Sequence, residues 1–184
     1  MKMPLKIAAE TLRAGGVVAY PTEGVFGLGC DPFDASAVAR ILDIKHRRLE
    51  AGLIVIGDSL AQLAPLLAPL PDALAEQAAA TWPGAVTWVM PASDEAPHWI
   101  TGGRDTVAVR VPGHARARQL CTLAGTPLVS TSANRSGRPA LRSALAVRRH
   151  LREAVDCIVP GAVVSTAGAS EIRDAQTGHI LRER

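Results

Sequence analysis

The sequence predicts a single α/β domain built on a mixed, twisted sheet, and three observations carry that prediction. Short strand-like apolar runs alternate with helix-period segments along most of the 184 residues. The length suits one compact core, and a composition of 48% apolar and 20% charged residues is an ordinary globular balance. Hairpin-like pieces around Thr177-Gly178 add antiparallel pairing near the end. The chain contains no repeat, linker or low-complexity tract, so one domain is expected over residues 1–184.

Each element has a local reason. In "LKIAAETLRAGG", Leu5, Ala8, Ala9 and Leu12 share one helix face, and Gly15-Gly16 stops the helix. "VVAYP" is a short buried strand ended by Pro21, and "TEGVFGLGCDPFD" reads as a glycine-rich loop. Asp34 or Ser36 caps the helix "ASAVARILDIK", which has Val38, Ile41 and Leu42 on one side. "GLIVIG" is a second buried strand. Residues 59–82 form two helices broken around Pro69 and Pro71. "GAVTWVMP" and "TVAVRVP" are strands, "HARARQLCTLAG" is a helix ended by Gly125, and "PLVSTSAN" is a strand running into a polar loop. "RSALAVRRHLREAV" is a helix, "DCIVPG" a strand, and "SEIRDAQTGHILRER" two short strands.

Composition excludes several functions. Aromatics make up only 3%, which argues against base-stacking platforms. The net charge of +3 fits an anionic ligand or RNA without diagnosing either. Cys30, Cys121 and Cys157 are odd in number and far apart, so zinc ribbons and thioredoxin chemistry are unsupported and a reduced, cytoplasmic setting fits best. The five histidines show no metal-ligand spacing. No apolar run approaches the length of a membrane span, so no membrane partner is expected.

Five constellations could carry chemistry. In "YPTEGVFGLG", Thr22 and Glu23 sit at the carboxyl end of a strand, where open α/β sheets bind ligands. Its glycines fit neither the dinucleotide nor the P-loop pattern, and turn geometry explains them as well as ligand binding does. In "KHRR", Lys45 and Arg47 suit phosphate, one as a point charge and the other as a bidentate fork. Taken alone, they read better as a solvated helix end favoured by the helix dipole. In "TVAVRVP", Val107, Val109 and Val111 face one way, and Thr106, Ala108 and Arg110 the other. Arg110 therefore needs either an acidic partner, such as Asp105 or Glu171, or an anionic ligand. "PLVSTSANRSGRP" delivers Ser130, Thr131, Ser132 and Asn134 from a core strand, a donor set suited to phosphate and amide contacts. It lacks the GxSxG pattern of a nucleophile elbow. The helix with Arg142, Arg148, Arg149 and Arg152 reads first as a solvated face and second as an RNA-docking surface.

Together these motifs resemble the YrdC/TsaC family, the threonylcarbamoyl-AMP synthases. The likeness runs in order through "PTEGVFGLGCD", the K-x-R of "KHR", "GLIVI", "WPGAVT", "TVAVRVP", "STSAN", "SEIRD" and "ILR". It implies a twisted open sheet of mixed parallel and antiparallel strands, flanked by helices, with a large cavity on one side. The implied reaction joins ATP, L-threonine and bicarbonate into threonylcarbamoyl-AMP and pyrophosphate. Partner proteins then transfer the threonylcarbamoyl group to tRNA. Carried over by position, Thr22, Arg110, Ser130 and Ser170 contact L-threonine. Lys45, Arg47, Ser132, Asn134 and Arg182 hold ATP, with Thr106 and the backbone of Leu49 beside it, and Lys45 and Arg47 are the catalytic pair. Mg²⁺ is expected to accompany ATP with no dedicated set of protein ligands.

The chain departs from the family pattern at four positions. Arg48 replaces a proline, and Ala51 stands where many relatives have lysine or asparagine. This raises the question of whether Arg48 restores the missing charge. Ala169 replaces a common proline, and Ala140 falls where some relatives use a hydroxyl on the nucleotide. The extra C-terminal domain of longer relatives is not expected, which matches the short bacterial form. Two rivals stand beside this reading. One is a non-catalytic module that binds tRNA or rRNA. The other is a hydrogenase-maturation carbamoyl-adenylate enzyme, whose zinc-finger cysteines this chain lacks.

Overall fold

The computed structural model describes residues 3–166 and 168–183. Met1, Lys2, Ala167 and Arg184 lie outside the described residues, so the expected span 1–184 and the final strand segment are described without them.

The strands fall into two sheets rather than the one expected. The first is four-stranded, in the order β7-β2-β1-β8, from β1 (Val18–Pro21), β2 (Phe26–Gly29), β7 (Thr131–Ser132) and β8 (Cys157–Ile158). The second is six-stranded, in the order β10-β9-β4-β5-β3-β6. Its strands are β3 (Ile54–Ile56), β4 (Val86–Pro91), β5 (Thr106–Arg110), β6 (Leu128–Val129), β9 (Glu171–Asp174) and β10 (Ile180–Arg182). Both sheets mix parallel and antiparallel pairs, as the sequence predicts. The helices are α1 (Met3–Arg13), α2 (Ala35–Lys45), α3 (Leu60–Leu63), α4 (Asp72–Ala79), α5 (His98–Thr101), α6 (Ala115–Ala124) and α7 (Ala144–Leu151).

The glycine-rich segment is not all loop. It contains β2, which folds back on β1 in register from Val18 opposite Gly29 to Pro21 opposite Phe26. Only residues 22–25 turn, closed by Thr22, whose N–H and Oγ1 both donate to the Val25 carbonyl at 3.0 and 2.7 Å. The region expected to hold two helices supplies α3, a 3₁₀ turn at Ala64–Leu66, and α4 after Pro71.

One core lies on each side of β1, following its period of two. Val18 and Tyr20 pack with Leu5, Ala9 and Leu12 of α1 and Leu120 of α6. Ala19 joins Phe26, Ile41, Val55, Trp88 and Val109 on the other side. In β5, Val107 and Val109 are buried in this second core. Burying each valine is worth about 2 kcal/mol. A slip of one residue would exchange the two faces, so these valines set the direction of Arg110.

The two sheets meet at Ser130. The chain leaves β6, paired with β3, and enters β7, paired with β2, within one residue. The Val129 N–H donates to the Cys30 carbonyl at 2.9 Å, and the Ser130 N–H to the Ile54 carbonyl at 2.7 Å. The fold thus places the hydroxyl loop at the seam between the sheets.

Candidate functional site

A cavity of about 750 Å³ opens at this seam. Thr22, Lys45, Arg47, Thr106, Arg110, Ser130, Ser132, Asn134, Ser170 and Arg182 all line it. Leu49 does not line it. Leu49 opens a 3₁₀ turn, Leu49–Ala51, and its carbonyl accepts from the Gly52 N–H at 3.0 Å. The expected face of β5 is observed, with Thr106, Ala108 and Arg110 toward the cavity.

Arg110 has an acidic partner, but it is neither Asp105 nor Glu171. Arg110 Nη1 donates to Glu23 Oε1 at 3.2 Å, and both side chains are largely buried. The same oxygen accepts from the Gly113 N–H at 2.7 Å. The Glu23 carbonyl accepts from the Val164 and Ser165 N–H groups at 2.9 and 2.8 Å. Glu23 thus ties the β1–β2 turn, β5 and the segment before β9 together. Two buried polar atoms of the pair, Glu23 Oε2 and Arg110 Nε, have no hydrogen-bond partner among the described residues. Such atoms are costly in isolation and mark a place where a polar ligand gains most. The sequence placed Glu23 beside the site, but its pairing with Arg110 was not legible because the two lie 87 residues apart on different sheets.

Lys45 is not at a solvated helix end. It is 3% exposed, and its Nζ donates to the carbonyls of Ser132 and Asn134 at 2.6 and 2.9 Å and to Asn134 Oδ1 at 3.3 Å. Burial, then the charge of Arg47, brings its pKa down to about 8. Ser132 Oγ donates to Asn134 Oδ1 at 2.6 Å, and Asn134 Nδ2 to the Arg135 carbonyl at 3.1 Å. The hydroxyl loop and the end of α2 are therefore one hydrogen-bonded unit.

His46, without a role in the sequence reading, caps α2. Its φ of 49° places it in the left-handed region, its N–H returns to Asp43, and the Arg47 N–H returns to the Leu42 carbonyl at 2.9 Å. This reversal turns Arg47 into the cavity while Arg48 points out. Arg47 Nη2 donates to the carbonyls of Ala51 and Gly52 at 3.1 and 2.9 Å. Burial, then Arg104, holds its pKa below the usual arginine range.

Ser170 and Arg182 form the remaining wall. Ser170 Oγ lies 2.8 Å from Thr87 Oγ1, and the Ser170 carbonyl accepts from Arg182 Nη2 at 2.7 Å. Burial, then Arg110 and Arg47, lowers the pKa of Arg182. Among the described residues, no group of three or more His, Cys, Asp and Glu side chains is placed to hold a metal. Arg148 and Arg149 of α7, with Arg152 just after it, do not line the cavity but a separate groove with His46 and Arg135. Among the described residues, no helix is long and apolar enough to cross a membrane.

Fold and site define a class: an α/β domain whose two sheets enclose a cavity walled by hydroxyls, amides and cations. The chain belongs to the Sua5_yciO_yrdC family, described as telomere recombination, which it matches over residues 10–183. It is 53% identical over 175 residues to the threonylcarbamoyl-AMP synthase of Halorhodospira halophila, covering 95% of this chain and 92% of that one. It is 49% identical over 178 residues to the enzyme of the same name from Nitrosococcus oceani, covering 97% and 96%. Among solved structures it is similar to P. abyssi Sua5 complexed with L-threonine. The TM-score is 0.93 at 38% identity over 99% of this chain. This chain spans 54% of that protein's length.

Proposed function

We propose that this protein is a threonylcarbamoyl-AMP synthase. The observation that carries the reading is the cavity itself, where a buried arginine–glutamate pair faces a wall of cations and hydroxyls across one seam. Relatives of nearly the same length bear that enzyme's name, and a structural neighbour is complexed with L-threonine.

The reaction follows from the chemistry of the walls. The amine of L-threonine adds to bicarbonate, losing water, and gives a carbamate. A carbamate oxygen attacks the α-phosphorus of ATP, a new P–O bond forms, and the bond to pyrophosphate breaks. The nucleophile is already an anion, so no strong protein base is required. The protein must align two anions and stabilise the charge on the departing pyrophosphate. Arg110 is the clamp for the threonine carboxylate, with Thr22, Ser130 and Ser170 around the amino acid. Lys45, Arg47, Ser132, Asn134, Thr106 and Arg182 serve the nucleotide. Mg²⁺ bound with ATP would offset the charge of the phosphates, and no dedicated set of protein ligands is proposed for it. The product is passed to proteins that modify tRNA, and these substrates fit a cytoplasmic setting.

Pyrophosphate release tests the reading. It is expected only when ATP, L-threonine and bicarbonate are present together. Release that continues unchanged without threonine contradicts the assignment. Salt-sensitive tRNA binding with no ATP turnover would favour the RNA-binding module instead.

A further inference from the structure

Among the described residues five cations line the cavity, and the motifs account for four: Lys45, Arg47, Arg110 and Arg182. The fifth, Arg104, lies in the turn between α5 and β5. Its Nη1 donates to the Thr101 carbonyl at 3.1 Å and its Nη2 to the Glu50 carbonyl at 2.6 Å. The guanidinium rests in a cradle formed by two glycines in the left-handed region, Gly52 (φ 63°) and Gly102 (φ 68°). A Cβ at these glycines would come within 3.1 and 3.0 Å of Arg104 Nη1. The cradle therefore requires glycine for both its backbone and its space.

Arg104 and Arg47 converge on the same backbone, since the Gly52 carbonyl accepts from Arg47 and the Gly52 Cα flanks Arg104. Both are anchored through carbonyls, and among the described residues neither forms an ion pair. The nearby acid, Glu50, turns its carboxylate outward to Arg48 at 3.3 Å. Two guanidinium groups held side by side without an acid repel each other, and an anion relieves that cost. Arg104 precedes the start of β5 and Arg110 is its last residue, and both line the cavity. The length of the strand therefore separates Arg104 from the threonine clamp. In the proposed reaction the α-phosphorus must meet the carbamate, so the rest of the triphosphate extends toward the Arg104 end.

We propose that Arg104 and Arg47 form a two-guanidinium seat for the β- and γ-phosphates of ATP and for the pyrophosphate that leaves. This rests on the nucleotidyl-transfer reading above. It also answers the question raised by Ala51. Arg48 does not replace the missing charge, because its side chain is 86% exposed and paired with Glu50. Arg104 supplies that charge from a different loop.

Calorimetric titration with inorganic pyrophosphate and with AMP tests the seat, in the wild type and in Arg104→Gln. Loss of one charge-assisted contact predicts pyrophosphate binding weaker by about 10- to 100-fold. AMP and L-threonine affinities should stay within about twofold, a change worth less than about 0.5 kcal/mol. Arg104→Lys keeps the charge and should recover part of the loss. Unchanged pyrophosphate affinity in Arg104→Gln overturns the proposal, as does an equal loss for AMP and L-threonine, which would mark a merely structural arginine. The outcomes separate from those of the parent reading. Threonine-dependent turnover with unaltered pyrophosphate affinity in the variant keeps the reading and removes the seat. Pyrophosphate binding lost in the variant, with no threonine-dependent turnover in the wild type, keeps the seat and removes the reading.

Discussion

The two ends of the cavity handle arginine in opposite ways. At one end Arg110 is buried against Glu23, and the pair carries no net charge. At the other end Arg47 and Arg104 stand together on backbone carbonyls, with no acid between them. A charge-balanced site suits a zwitterionic amino acid, whose two charges can be met by the arginine and the glutamate. A site of unrelieved positive charge suits a polyanion. Specificity here lies less in the number of cations than in which of them already have a counter-ion.

Removing one arginine from each end gives the largest expected contrast. Arg110→Ala leaves Glu23 buried and unpaired, which should cost about 3–5 kcal/mol of stability in denaturant unfolding and abolish L-threonine binding. Arg47→Ala removes a repelled charge, so unfolding stability should change by less than about 1 kcal/mol. Turnover should nevertheless fall roughly 100-fold or more, the scale of one lost contact to a transferring group. Equal destabilisation by both would show that the ends do not differ in charge balance. Lys45→Ala should abolish turnover as well, but its three contacts to the hydroxyl loop mean some loss of stability accompanies it.

Glu23→Gln gives a smaller effect. The amide oxygen can still accept from the Gly113 N–H, while the charge is lost. The KM for L-threonine should rise about tenfold, equivalent to about 1.4 kcal/mol, with the KM for ATP nearly unchanged. A rise in both would place Glu23 in the scaffold alone.

The smallest effect is on pH. The Lys45 pKa of about 8 lies below its usual 10.5, so the unfolded chain holds a proton that the folded chain lacks between these values. Stability from this group therefore rises with pH across that window and is lost as pH falls through about 8. Phosphates favour the charged form. ATP affinity should thus decline as pH rises through about 8, with a proton taken up on binding, as calorimetry in buffers of different ionisation enthalpy would detect.

The sequence made some of this legible and hid the rest for physical reasons. Period-two alternation in "TVAVRVP" placed Thr106 and Arg110 on the correct face, and that pattern is local. The Asp34 cap of α2 and the glycine end of α6 were legible for the same reason. The strand within "FGLG" was hidden because glycine carries no strand signal, and pairing with β1 and β7 makes it a strand. The division into two sheets was equally invisible, since one residue at Ser130 decides it. Lys45 looked solvated because its acceptors lie 87 and 89 residues further along. The pairing of Glu23 with Arg110 and the place of Arg104 were hidden because both arise where segments distant in sequence meet.

The two ends of the cavity divide the labour of binding, and paired calorimetry tests that division most directly. L-threonine and ATP are each titrated into the wild type, Arg110→Ala and Arg47→Ala. The prediction is that Arg110→Ala loses L-threonine and keeps ATP, while Arg47→Ala keeps L-threonine and binds ATP weakly. Loss of both ligands in both variants, or of neither in either, would contradict it.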